Sequence, residues 1–132
     1  MSAKKILIVD DSVVVTKTTA MVLTKAGYEV STAADGSTAI GAVRRERPDL
    51  ILLDIGFPIE MGVTWDGILI MQWLKRMEET RNIPVIVISG QDPEKYRAQV
   101  LSLGAVAYLA KPVNNEELIK LISEALASTA TT

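Results

Sequence analysis

The sequence predicts an α/β domain: one mostly parallel sheet with helices on both faces. Three observations predict it. Short apolar runs alternate with longer amphipathic stretches along the chain, the pattern of strands joined by crossover helices. Runs 6–9, 50–53 and 85–88 are apolar at every position, as expected of strands covered on both faces rather than one. The chain has 132 residues, 48% of them apolar, a size that supports one hydrophobic core.

Each element has a local reason. The first strand is expected over residues 6–9, a weaker second over 28–33, the third over 50–53, the fourth over 85–88 and the fifth over 105–110. The first helix is expected over 12–26, with Val15, Thr19, Val22, Leu23 and Ala26 facing inward and Gly27 ending it. The second runs over 38–47 and stops at Pro48. The third, 66–79, carries Leu69, Trp73 and Met77 four apart as its core stripe. The fourth, 93–103, closes at Gly104, and the fifth, 116–126, places Leu118, Leu121, Ile122 and Ala125 on one stripe. The chain is expected to be a single domain over residues 1–132, with a core of about 4–126 and a short, frayed polar tail from Ser128.

Composition removes several functions. There is no cysteine and no histidine, so no disulfide framework, thiolate or imidazole chemistry belongs to this chain. Fourteen Lys and Arg against sixteen Asp and Glu leave a net charge of −2, which argues against nucleic acid as a partner. No apolar segment reaches the length of a signal peptide or a membrane span, so a cytoplasmic chain is expected.

Polar residues follow four of the five apolar runs: Asp10 and Asp11, then Asp54, Ser89 and Lys111. In a parallel sheet these strand ends share one edge, where ligands of open α/β sheets bind. Three carboxylates, a hydroxyl and an ammonium therefore meet in one cleft. Two like charges about 4 Å apart repel by roughly 4 kcal/mol at an effective dielectric of 20. Such a cluster raises a pKa or recruits a cation, and its oxygen ligands suit Mg²⁺. Aspartates at strand ends also cap helices, which is the plainer reading of each one singly.

With these residues in place, the sequence resembles the receiver domain of two-component response regulators. The resemblance rests on Asp10-Asp11, Asp54, Ser89-Gly90, Lys111-Pro112 and Tyr108, and covers about residues 4–126. It implies a flavodoxin-like (βα)5 sheet of strand order 2-1-3-4-5. It implies Asp54 as the acceptor of a phosphoryl group from a phosphohistidine, on a sensor histidine kinase or a histidine phosphotransfer protein. By the same resemblance, Asp10, Asp11, Asp54 and the Gly56 carbonyl hold Mg²⁺. Lys111 and Ser89 contact the phosphoryl group, and Tyr108 follows Ser89 as a switch on the face made by the fourth helix, fifth strand and fifth helix. That face then binds a downstream protein target or a second copy of the chain. The Lys111-Pro112 step corresponds to a cis peptide in the family, and Gly56 and Gln91 occupy positions that tune the lifetime of the phosphoryl group. Val13 and Val14 lie at the helix end that docks the phosphodonor in the family. Such a protein accepts a phosphoryl group and loses it again without being a turnover enzyme.

One segment departs from the family. The acidic–glycine pair that usually follows the phosphoacceptor closely is here Asp66-Gly67, so residues 55–65 contain an insertion. It carries Phe57, Ile59, Glu60, Met61, Val63 and Trp65. It reads either as a tolerated surface loop or as an apolar partner site. The insertion keeps open an alternative function, an interaction module on the same fold that is not phosphorylated. A phosphatase of the haloacid dehalogenase type, which also places Asp after a strand, needs a second acid where Gly56 stands.

Overall fold

The computed structural model describes residues 3–10, 12–34, 36–54, 67–89, 93–111 and 113–130. Five strands, β1 (Lys5–Val9), β2 (Glu29–Ala33), β3 (Leu50–Asp54), β4 (Val85–Ser89) and β5 (Ala107–Ala110), alternate with five helices. These are α1 (Val13–Lys25), α2 (Gly36–Glu46), α3 (Gly67–Arg76), α4 (Pro93–Ser102) and α5 (Asn115–Ala130). The strands are parallel throughout, in the order β2-β1-β3-β4-β5. This is the flavodoxin-like order expected from the sequence.

The continuously apolar strands do fill both sides of the sheet, because successive side chains point to opposite faces. Leu7, Val9, Ile51, Leu53, Val85 and Val87 join one buried cluster with residues of α2, α3 and α4. Ile6, Ile8, Leu50, Leu52 and Ile86 join the other with Leu23 of α1 and Leu118, Ile122 and Leu126 of α5. β2 is one edge of the sheet and its side chains run from exposed Glu29 to buried Ala33.

Helix ends follow local chemistry. Ser12 caps α1, its Oγ accepting from the Val15 N–H at 3.3 Å. Gly27 and Gly104 take the left-handed backbone just past α1 and α4, as helix-stop glycines do. α2 ends without a glycine: Arg47 sits at φ 48 ahead of Pro48, and its N–H still returns to the Val43 carbonyl. The turn from α3 to β4 is locked by buried Thr80, whose Oγ1 donates to the Leu74 carbonyl at 2.6 Å. Lys75 Nζ reaches the Arg81 and Ile83 carbonyls across the same turn, and half-burial holds its pKa below the usual lysine value.

Two expectations about helix faces need correction. On α1, Val15 is 40% exposed and Ala26 is also exposed. Among the described side chains of α1 Leu23 alone is fully buried, flanked by half-buried Thr19, Ala20 and Val22. On α3 the buried residues are Ile70, Met71 and Leu74. Trp73 is only half-buried, with the Arg44 guanidinium 5.6 Å from its ring centre, and Met77 follows the last helical residue. Trp73 nevertheless packs against the cluster that holds Ile70, Met71 and Leu74, and the side chain of Leu69 lies outside the description. A further difference is the extent of α5, which is assigned to Ala130 where the sequence pattern placed its end at 126. Leu126 anchors its last core turn, and Ala127, Ser128, Thr129 and Ala130 include no residue that breaks a helix.

Candidate functional site

Strand register assembles the site. Val9 pairs with Leu53 in the β1–β3 ladder, so the next residues, Asp10 and Asp54, stand side by side at the carboxyl edge. Asp54 pairs with Ile88, and Ser89 with Ala110. Ser89 therefore ends the strand between Asp54 and Lys111. Lys111 reaches back across that strand, and its Nζ donates to Asp54 Oδ2 at 2.5 Å. The three charged groups are thus brought together from three strand ends far apart in sequence.

Their surroundings differ. Asp10 is 6% exposed and Asp54 5%, whereas the Lys111 side chain keeps 33% of its surface in water. Asp10 is held by its backbone and its side chain: its N–H donates to the Ala33 carbonyl at 3.0 Å, and its Oδ1 accepts from the Ser12 N–H at 2.9 Å. Burial pushes the Asp10 carboxyl up to about 6; the neighbouring Asp54 charge adds to the rise, while the Ser12 N–H and Lys111 oppose it. Negative charge at this edge is therefore only partly offset by the protein's own groups.

That imbalance bears on a metal. Among the described residues no group of three histidine, cysteine or carboxylate ligands comes together. The pair present, Asp10 and Asp54, supplies hard carboxylate oxygens in an acidic, largely buried setting, a donor set that fits Mg²⁺ and not a softer ion. Asp11, Gly56, Gln91, Pro112 and the inserted segment 55–65 lie outside the described residues. Tyr108 is on β5, half-buried against the cluster that faces α2, α3 and α4.

One feature was missed in the sequence. A cavity of about 680 Å³ opens at Asp10, Asp54 and Lys111 and runs between α1 and α5 over the sheet. Its apolar lining includes Ile8, Leu52, Val15, Val113 and Leu118, with Thr18 and Thr19 on the α1 side. Val14, which also lines it, is 75% exposed, and Met21 further along α1 is 65% exposed. The only hint in the sequence was the apolar pair Val13-Val14 next to the acids; the side chain of Val13 lies outside the description.

Comparison with known proteins agrees with this geometry. The model of the response regulator receiver domain family matches residues 6–123. The chain is 40% identical over 124 residues to the protein PilH of Pseudomonas aeruginosa, covering 93% of this chain and 98% of that one. It is 42% identical over 115 residues to the response regulator PleD of Caulobacter vibrioides, covering 87% of this chain but 24% of PleD. It also spans only about half, 51%, of the probable transcriptional regulatory protein TcrX of Mycobacterium tuberculosis. A crystal structure of a CheY-like response regulator receiver domain protein from Methanospirillum hungatei superposes with a TM-score of 0.86 at 30% identity, covering 98% of both chains. The chain belongs to the response regulator receiver domain family of two-component signalling.

Proposed function

We propose that Asp54 is the phosphoacceptor of this receiver. It takes a phosphoryl group from a phosphohistidine on a sensor histidine kinase or a histidine phosphotransfer protein. The P–N bond to imidazole breaks, a P–O bond to the Asp54 carboxylate forms, and the imidazole keeps the electron pair. The observation that carries this reading is the buried Asp10–Asp54 pair with Lys111 Nζ bonded to Asp54. A carboxylate stripped of water and steered by a cation is a positioned nucleophile.

Asp10, Asp11, Asp54 and the Gly56 carbonyl are the groups that would hold Mg²⁺, which when bound offsets the carboxylate charge and the charge on the moving phosphoryl oxygens. Lys111 acts as a point-charge partner of the phosphoryl oxygens, and Ser89 as a hydroxyl donor to them. Gly56 and Gln91, by the family resemblance, set how long the group persists. Tyr108 couples the event to the face formed by α4, β5 and α5. On that side Leu101 and Val106 are 38% and 52% exposed, which suits output by protein contact, with a target or a second copy. Exposed Val14 beside the acids suits docking of the phosphodonor. No helix among the described residues is long and apolar enough to cross a membrane, and we assign this single receiver domain, fed by a kinase, to the cytoplasm.

The test is intact-protein mass after incubation with acetyl phosphate, with and without Mg²⁺, for wild type and Asp54→Asn. One Mg²⁺-dependent phosphoryl adduct, absent from the variant, is the expected result. No adduct under trapping conditions would overturn the reading in favour of an unphosphorylated interaction module.

A further inference from the structure

The end of the sheet opposite Asp54 carries a second cluster of charge. Residues 44–47 end α2 and lead toward β3, and residues 75–83 end α3 and lead toward β4. Both stretches therefore meet the sheet at its amino edge, whereas Asp54 ends β3 at the carboxyl edge. They hold six Lys and Arg against three Glu, in a chain whose net charge is −2. Between them lies a hollow of about 240 Å³ whose lining includes Arg44, Arg47, Glu79, Val43, Pro48 and Ile83. Val43 and Pro48 are buried, so the hollow is shallow. Half-buried Ile83 gives it an apolar patch, and exposed Arg44, Arg47 and Glu79 give it charge.

Two observations single out the arginines. Arg47 stands at φ 48, a left-handed position that strains a side chain but not glycine. Among the described residues its guanidinium has no ion pair or hydrogen bond, so no charge contact inside the domain offsets that strain. Backbone strain of this kind gathers where a side chain is used. Arg44 is held ready: its guanidinium lies 5.6 Å from the Trp73 ring centre and reaches the Met77 sulfur at 3.8 Å. Its ion pair with Glu79 is 4.0 Å long with both side chains more than half exposed, weak enough for a second carboxylate to share.

We propose that this corner docks a protein partner through an acidic side chain flanked by apolar ones. Charge selects the acid. Two arginines against one glutamate leave the hollow one positive charge, which a carboxylate neutralises and a phosphate dianion overshoots. The open setting selects a protein segment over a free carboxylate. One exposed ion pair holds little by itself, whereas a segment adds apolar contact at Ile83 and further carboxylates for exposed Arg76 and Arg81 of the same stretch. The corner uses none of the phosphoryl-handling residues, so it tethers the receiver rather than reading its phosphorylation.

The experiment is amide NMR on the full chain in phosphate-free buffer, titrated with a capped peptide of one glutamate between two leucines, spaced from its ends by serines. The controls are the same peptide with glutamine for glutamate, the same with serines for both leucines, and inorganic phosphate. Shifts are expected at Arg44, Arg47, Thr80 and Ile83 and at the Trp73 indole N–H. The glutamine and the leucine-free peptides should each bind at least about threefold more weakly. Raising NaCl from about 50 to about 500 mM should weaken the glutamate peptide by a similar factor and the glutamine peptide much less. Arg44→Gln and Arg47→Gly should each reduce affinity at least about threefold. Arg47→Gly should do so while holding or raising the thermal midpoint, which the loss of a merely structural arginine would lower. Arg44→Gln carries the test if Arg47→Gly fails to fold. Equal binding of the glutamate and glutamine peptides, unchanged affinity in both arginine variants, or no shift at this corner at the highest peptide concentration would overturn the proposal. So would phosphate that shifts the same amides at lower concentration than the peptide, which would make the corner a site for free oxyanions.

Discussion

The two faces of the sheet bury similar side chains and pack them differently. On one face α2, α3 and α4 cover Leu7, Ile51, Leu53 and Val87, with Ile70, Met71 and Leu74 pressed onto them. On the other, α1 and α5 cover Ile8, Leu52 and Ile86 but leave a cavity of about 680 Å³ that opens at the charged residues. Part of the contrast lies in the helices. Among its described side chains α1 supplies one fully buried large one, Leu23, and leaves Val14, Val15 and Met21 exposed. Apolar burial removes area from water, whereas dispersion requires atoms on every side.

Leu52 and Leu53 are the sharpest way to break this comparison, because they are chain neighbours, 1% and 0% exposed, on opposite faces. Leu53→Ala should cost about 4 kcal/mol, in the upper part of the range for buried leucines. Leu52→Ala should cost about 2–3 kcal/mol, because the groups between it and the nearby cavity can relax into the space left behind. Urea denaturation of both variants measures the difference, and equal losses would mean that the α1–α5 side is as tightly packed as the other.

The next effect belongs to the mouth of the cavity. The folded Asp10 carboxyl holds its proton up to about pH 6, while the unfolded one releases it near pH 4. Between these values the folded state binds more protons, so stability falls as pH rises, and it levels off above about 6. The loss for the metal-free protein is at most about 3 kcal/mol. Thermal melts between pH 4 and 7.5 should show the decline, and Asp10→Asn should flatten it.

The face under α2, α3 and α4 depends on polar locks as well as on packing. Thr80 is 3% exposed, and its hydroxyl donates to Leu74 and Met77 carbonyls. Thr80→Val keeps the shape and strands those acceptors, so a loss of about 1–2 kcal/mol is expected, read from the urea midpoint. The smallest effect is a gain. Arg47 occupies a left-handed position at φ 48, where a side chain is strained and glycine is not. Arg47→Gly should stabilise by about 0.5–1 kcal/mol, and a lower thermal midpoint would show that the Arg47 side chain holds this corner together.

Much of the site was legible because it depends on strand ends. Asp10, Asp54 and Lys111 each follow an apolar run, and parallel register then gives them one edge without any detail of packing. The helix faces were less legible. Trp73 and Met77 have helical spacing and are half-buried, yet Ile70, Met71 and Leu74 are the buried residues among the described side chains of α3. α3 is apolar over more than one face, and periodicity cannot choose which face turns inward. Val15 failed for a related reason: its place beside a buried stripe is set by how far α1 stands from the sheet.

The amino-acid order alone therefore determined the element sequence, the sheet edge that carries the charges and the identity of those charges, because alternation, helix stops and strand-end polarity are local properties. Tertiary structure decided which helix faces are buried, that α5 continues to Ala130, that Lys111 bonds Asp54 and that a cavity lies under α1 and α5. Those outcomes depend on distances between elements remote in sequence, and such distances follow from the packing of the whole domain.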